Sequence, residues 1–323
     1  VTGVRRPNGR IDRVRRAFRR TLLVAGLTGS ALPAAAQHLP SSSLAVEVDG
    51  RWTTWWRSER APSTWPAPSP VLRRAAKWTA VRPGIDRAEL RLSGDAEAWR
   101  LRVVLVRADP RVLRFALPRA TRLEGLLGNW TVDSIPSDAV LALNAGQFSG
   151  GEPWGWVVRD GREEAPPGPG ALAMAFVADR RGGVRLLDAG EIAAERARGS
   201  IGQAFQSYPM LLLDGRVPAA LRAPGRGVDV AHRDSRLAVG TLADGRLLIA
   251  LTRFDALGGA LDELPVGPTS PEMAALMGAL GCRRAMLLDG GISGQLLVRP
   301  ATGDPLAWRA WRRVPLGLVA FPR

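Results

Sequence analysis

The sequence predicts an α+β fold, a mixed and mainly antiparallel β-sheet with few helices. Three observations predict it. Apolar runs of strand length are punctuated by Asp-Gly and Gly-Gly turns, one firm helical pattern falls at about 271–280, and strands do not alternate regularly with helices. The chain has 323 residues, long enough to bury the core of a large domain.

Residues 1–36 read as an export signal peptide. A basic stretch at 5–20 precedes a short apolar core at 21–32, and Ala34-Ala35-Ala36 offers an A-x-A cleavage site before Gln37. Arg15-Arg16-Ala17-Phe18 is close to the centre of a twin-arginine signal, but Arg19 stands where Leu is expected, which leaves Sec export as the alternative. A basic arm binding nucleic acid would leave the apolar core and the cleavage site unexplained. The core is too short to persist as a membrane span. The expected location is periplasmic or secreted, with no stable span after signal removal and no nucleic-acid partner.

Residues 37–80 are crowded with Pro and Trp, including Trp52, Trp55, Trp56, Trp65 and Trp78. Pro62, Pro66, Pro68 and Pro70 argue for an irregular arm or small subdomain that packs by its indoles. Residues 81–323 form the expected main domain. Runs 101–107 and 112–117 flank Ala108-Asp109-Pro110 and read as a hairpin; 119–127 reads as a short helix. The run 140–143 ends at Asn144. Asp160-Gly161, Gly182-Gly183 and Asp244-Gly245 each sit between apolar runs as turns, and 210–213 ends at Asp214-Gly215. Residues 255–269 read as a loop. In the helix, Met273, Leu276, Met277 and Leu280 recur on one face, Ser270 can cap the start, Pro271 suits N1, and Gly281 ends it. An apolar run, 285–288, then stops at Asp289, followed by Gly290, Gly291 and Ser293.

Composition excludes some chemistry. Cys282 is alone, so there is no disulfide framework. The two histidines are His38, beside the expected cleavage point, and His232, which rules out a zinc site built on two or three histidines. The surplus of Arg suits acidic substrates and phosphates. No cofactor is required by the sequence. A Ca2+ held by Asp and Asn oxygens with backbone carbonyls is not excluded, and the metal is unknown.

Four strand ends carry polar residues in order: N-A-G-Q-F at 144–148, Q-S-Y-P-M-L-L-L-D-G at 206–215, H-R-D-S-R-L-A-V-G at 232–240 and L-L-D-G-G-I-S-G-Q-L at 287–296. Their order, with the helix before the last, resembles the phosphodiester glycosidase family over about residues 80–323. Gln147 stands where that family usually has Phe, and Ile292 and Gly294 replace Gly and Ser. Asn144, Asp214, Arg236, Asp289, Gly290, Gly291 and Ser293 are kept.

The resemblance implies hydrolysis of a sugar-1-phosphodiester in an envelope or extracellular glycoconjugate or polysaccharide. Such a site needs a carboxylate near C1, as nucleophile or base, and cations on the phosphate. Asp289 and Asp214 are the carboxylate candidates. Arg236 is the phosphate candidate, with Arg233 second, because a guanidinium fork matches phosphate oxygens. Gly290 and Gly291 offer backbone N–H groups to an anion. Asn144, Gln206 and Ser293 offer hydrogen bonds to sugar hydroxyls or to a carboxylate, and Trp154 and Trp156 offer stacking faces. Structural alternatives stand beside these roles: Asp289 and Asp214 as turn residues, Asn144 as an Asx-turn residue, Arg233 as a solvated charge, Arg236 in a structural ion pair, and the two tryptophans as core. Two other functions fit the residue types. One is a serine hydrolase using Ser293 and His232; the other is a non-catalytic envelope module that binds anionic polysaccharide.

Overall fold

Every strand pair among the described residues is antiparallel. The structure, a computed structural model, describes residues 41–95, 99–120, 129–255 and 264–323. The export signal expected at 1–36 lies outside these residues, as do most of the short helix expected at 119–127 and residues 256–263 of the expected loop.

Among the described residues the largest sheet has nine strands. Its hydrogen-bonded path runs Met210–Leu212, Cys282–Leu287, Leu237–Leu242, Leu247–Phe254, Trp99–Ala108, Ile85–Gly94, Ser43–Val48 and Arg51–Arg57, with Thr79–Arg82 paired off the path to Ile85–Gly94. One five-stranded sheet runs Arg162–Ala165, Val157–Arg159, Ile201–Ser207, Met174–Asp179 and Val184–Asp188. Another runs Leu306–Trp308, Leu296–Val298, Leu141–Asn144, Gly317–Pro322 and Leu113–Ala116. The strands alternate sides every residue, so one face of the large sheet feeds one core and the opposite face another. Val104, Val106 and Ile249 share a core with Leu141 and Leu143 of one small sheet and Phe176 and Phe205 of the other. Val103, Leu105 and Leu248 point the other way, into a core with Met273, Leu276 and Met277.

Three helices are described: α1 (Pro70–Ala75), α2 (Ala189–Arg198) and α3 (Ser270–Ala279). α3 is the helix expected at 271–280. Its cap is Thr269 rather than Ser270: the Thr269 hydroxyl accepts from the Glu272 N–H while the Glu272 carboxylate accepts from the Thr269 N–H. That reciprocal arrangement occupies two otherwise unpaired donors. The apolar stripe understates the burial of α3, since every residue of it but Pro271 is buried. Trp65 covers Gly278, where a Cβ would lie 2.3 Å from the indole.

Three elements differ from the sequence expectation. Residues 43–57, expected to be irregular, form two strands that extend the large sheet; the prolines that break regular structure begin only at Pro62. The runs on either side of Asp109-Pro110 do not pair with each other. Trp99–Ala108 stays in the large sheet, while Leu113–Ala116 pairs with Gly317–Pro322 in a small one. A two-sided apolar run does not announce which sheet it joins. α2 was not expected, although Asp188 and Glu191 form a capping box at its start.

The three aromatic rings at the centre of the inter-sheet core tie the small sheets together. Phe176 stacks on Phe205 at 5.2 Å and meets Phe115 edge-on at 5.7 Å. Phe176→Ala is expected to destabilise the fold by about 3–5 kcal/mol, the usual cost of removing a fully buried ring. Urea unfolding followed by Trp fluorescence measures it.

Candidate active site

Asp289 lies just past the end of the strand Cys282–Leu287, where the chain leaves the large sheet for the small one. A short 3-10 turn, Gly291–Ser293, carries it across to Leu296–Val298. Both glycines are required by close approach. A Cβ on Gly290 would lie 2.5 Å from the Ser235 carbonyl oxygen, and Gly291 holds φ +55 with Asp234 Oδ2 2.8 Å from where its Cβ would be. The Gly291 N–H donates to the Ser235 carbonyl at 2.7 Å, so it is engaged by the fold rather than offered to an anion.

The turn is held from below. Asn144 is fully buried; its Nδ2 donates to the Asp289 carbonyl at 2.6 Å and its Oδ1 accepts from the Gln295 N–H at 2.9 Å. Arg253, also buried, donates from Nη2 to the carbonyls of Gly294 (2.6 Å) and Arg309 (2.8 Å). Ser207 donates to the Leu287 carbonyl at 2.6 Å.

Above the turn opens a cavity of about 480 Å3. Asp289 and Gly290 line it, with Arg236, Asp234 and His232 on one wall and Gln147, Phe148, Trp154 and Tyr208 among the residues of the rest. The residues 232, 234 and 236 alternate into the cavity along an extended approach to the strand Leu237–Leu242. The intervening residues face away. Arg233 forms a two-nitrogen ion pair with the fully buried Glu272, reaches Asp95 at 3.2 Å and lies over Trp99. Ser235 donates to the Thr252 carbonyl.

Burial raises the Asp289 carboxyl above its ordinary range. The Ser293 hydroxyl bonded to it and the charge of Arg312 pull the other way, and the nearby charge of Asp234 adds to the rise. Burial raises Asp234 as well, opposed by Arg236 and His232. The Asp234 Oδ1 is buried without a hydrogen-bond partner. Arg236 is pushed below the usual arginine range, chiefly by burial. Its Nε and Nη2 donate to the carbonyls of Pro268 and His232, at 3.0 and 2.6 Å.

The structure therefore brings together Asp289, Arg236, Gly290, Ser293 and Trp154, and it adds Asp234. It sets others apart. Asp214 sits at the far end of Met210–Leu212, in a two-residue turn with φ +50, exposed and paired to Arg284 at 2.9 Å. It is a turn residue that balances a charge and does not line the cavity. Gln206 is buried, and its Oε1 accepts from the N–H groups of Trp156 and Gly168, so it fastens a loop. Trp156 is core, with its Nε1 donating to Glu163. Arg233 is a structural ion pair. Ser293 partners Asp289, while His232 faces Asp234 at 3.7 Å, so the Ser–His hydrogen bond of a serine hydrolase is not made. Asp234 escaped the sequence reading although it stands two residues before Arg236. Period two, applied from Arg236, puts it on the cavity face and turns Arg233 away.

Among the described residues, no group of three or more His, Cys, Asp or Glu is placed to hold a metal ion, and no helix is long and apolar enough to cross a membrane.

Two partly buried carboxylates, an arginine and aromatic residues thus line one cavity, the general form of a small-ligand site. The chain belongs to the phosphodiester glycosidase family, whose model matches residues 137–321. It is accordingly a hydrolase that acts on sugar phosphodiesters. In fold it is similar to the catalytic domain of zebrafish N-acetylglucosamine-1-phosphodiester alpha-N-acetylglucosaminidase, solved in a form auto-inhibited by its pro-peptide. That match has a TM-score of 0.56 at 18% identity, covering 79% of this chain and 91% of that one. A hypothetical protein from Synechocystis is also similar, with a TM-score of 0.52 at 16% identity over 77% of this chain and 64% of that one. No curated protein matches.

The raised Asp289 fixes the sign of two expectations. Chemistry that needs its carboxylate form requires a pH above the ordinary carboxylate range, so the acid limb of kcat/KM falls higher than for a free Asp. Ser293→Ala removes a hydrogen bond that favours the charged form and moves that limb higher still; a pH–rate profile measures both. For stability, a raised folded-state value favours the fold at acid pH, and that benefit is lost as pH rises through it. Asp289→Asn is thus expected to stabilise the protein at neutral pH and not at acid pH, read from urea midpoints at the two.

Proposed function

We propose that the protein hydrolyses a sugar-1-phosphodiester in an envelope or extracellular glycoconjugate or polysaccharide, with Asp289 as the carboxylate at C1. The observation that carries this is the position of Asp289: partly buried, raised by that burial, bonded by Ser293 and facing a cavity shared with Asp234 and Arg236. Water adds across the C1–O bond. The sugar leaves as a hemiacetal and the phosphate stays on its other partner as a monoester. A phosphate is a weak base, so its departure demands less of a general acid than an alkoxide would.

Within this proposal Asp289 attacks C1 or activates the water. Asp234, with an unpartnered buried oxygen, is the second carboxyl and can hold or release a proton. Arg236 adds positive charge to the same wall, and Trp154 offers its ring to a sugar face. The basic and apolar pattern of residues 1–36 supports export to a compartment where such polymers are found.

The test is incubation of the protein with a synthetic sugar-1-phosphodiester in 18O-labelled water. Reducing sugar and a phosphomonoester are expected, with the label in the sugar if C1–O breaks and in the phosphate if P–O breaks. Asp289→Ala is expected to lower turnover by at least about 10³-fold. Asp214→Ala, which loses only its pair with Arg284, is expected to keep full activity. Turnover that survives Asp289→Ala rules out this placement of the chemistry.

A further inference from the structure

The phosphate of the substrate needs a cation that can reach it, and the arginines expected to serve are largely committed. Arg233 is locked to Glu272 and Asp95. Arg236 spends two of its three nitrogens on carbonyls. Arg312 differs from both. It is exposed, and it has no carboxylate within ion-pair distance among the described residues. Its neighbours Arg309 and Arg313 are engaged, by Asp133 and by Asn129.

Two contacts fix Arg312 at the site. Its backbone N–H donates to the Ile292 carbonyl at 2.9 Å, inside the turn that carries Asp289 and Ser293. Its guanidinium lies over the ring of Phe148, 4.7 Å from the centroid, and Phe148 lines the cavity. A stacked guanidinium keeps its edge N–H groups free and holds them in one plane, the geometry that meets two phosphate oxygens at once. The positive charge also favours the ionised form of Asp289, which places the two groups in electrostatic reach of each other.

Resting on the phosphodiester reading above, we propose that Arg312, stacked on Phe148 and tied to the Asp289 turn through Ile292, is the residue that receives the substrate's phosphate. Arg236 then serves the wall beside Asp234, and Arg312 supplies the fork. An exposed guanidinium held on the half-buried ring of Phe148 suits a substrate whose phosphate continues into a second group, because it does not close the cavity around it.

Inorganic phosphate is titrated by calorimetry into the full chain as wild type, Arg312→Ala, Arg312→Lys and Arg309→Ala. Arg312→Ala is expected to weaken phosphate about tenfold, the usual range for losing a charge-assisted pair, and Arg312→Lys to weaken it less. Arg309→Ala, an exposed charge paired to Asp133 on the same segment, is expected to change nothing. In turnover, Arg312→Ala is expected to lower kcat/KM on the phosphodiester about tenfold and to leave an uncharged aryl glycoside of the same sugar unaffected. The proposal falls if wild type binds no phosphate, if Arg312→Ala binds it as tightly as wild type, or if Arg309→Ala weakens it equally. Binding that depends on Arg312 without any release of sugar would uphold the phosphate site and refute hydrolysis, which separates the two claims.

Discussion

One side-chain amide bridges the gap on which the site depends. Asn144 ends the strand Leu141–Asn144 of a small sheet and joins the Asp289 carbonyl to the Gln295 N–H. Between those two residues the chain passes from the nine-stranded sheet to the five-stranded one. A buried crossing has no ladder to satisfy its backbone, and each unpaired buried group would cost about 1–3 kcal/mol. An amide is suited to the gap because it donates and accepts at once. An Asp there could only accept, and a Leu could do neither. The carbonyl of Gly294 is met by Arg253 and the N–H of Gly291 by Ser235, so the turn is held at several points. The carboxylate of Asp289 is left as the polar group of that turn turned toward the cavity.

The same constraint explains how much of the molecule was legible in the sequence. The hairpins around Gly182-Gly183 and Asp244-Gly245 follow from local turn chemistry, and both form. α3 follows from its period and its stop, with the cap displaced by one residue because Thr269 and Glu272 satisfy each other. What the sequence did not reveal is which sheet each strand enters. The runs flanking Asp109 look like hairpin arms, yet they belong to different sheets. Partner choice is set by long-range packing, and a buried apolar strand carries no label for its neighbour. The Trp-rich stretch followed the same logic, since its strands were hidden beside the prolines that came after them.

The site residues sort by the same distinction. Asp289 and Arg236 stand at ends of strands in the large sheet, and the structure brings them to one cavity. Asp214 carries an equally suggestive motif but stands at the opposite end of its strand, where it meets Arg284. An Asp-Gly at a strand end does not say which end of the sheet it occupies. Asn144 and Gln206 were expected to bind sugar hydroxyls or to orient a carboxylate; both are buried and bonded to backbone, Asn144 under the Asp289 turn and Gln206 at Trp156 and Gly168. Asp234 was within reach of a local rule, and the preference for Arg233 as a second cation obscured it.

Burial at this cavity has opposite consequences for its carboxyls and its arginine. It raises the carboxyls of Asp289 and Asp234 and lowers the guanidinium of Arg236, in each case because burial disfavours the charged form. A phosphodiester is an anion, and two fully ionised carboxylates would repel it. On the proposed function, raising their pKa values would soften that repulsion at acid pH, and the charges of Arg236 on the wall and Arg312 at the turn would oppose what remains. The Ser293 hydroxyl and the charge of Arg312 favour the carboxylate form of Asp289, the form that the proposed attack at C1 needs. A more exposed Asp289 would ionise readily but would be screened by water from both the sugar and its neighbours. A more deeply buried one would remain protonated and inert. Partial burial at a sheet crossing, with one hydroxyl in contact and a second carboxyl nearby, lies between those limits.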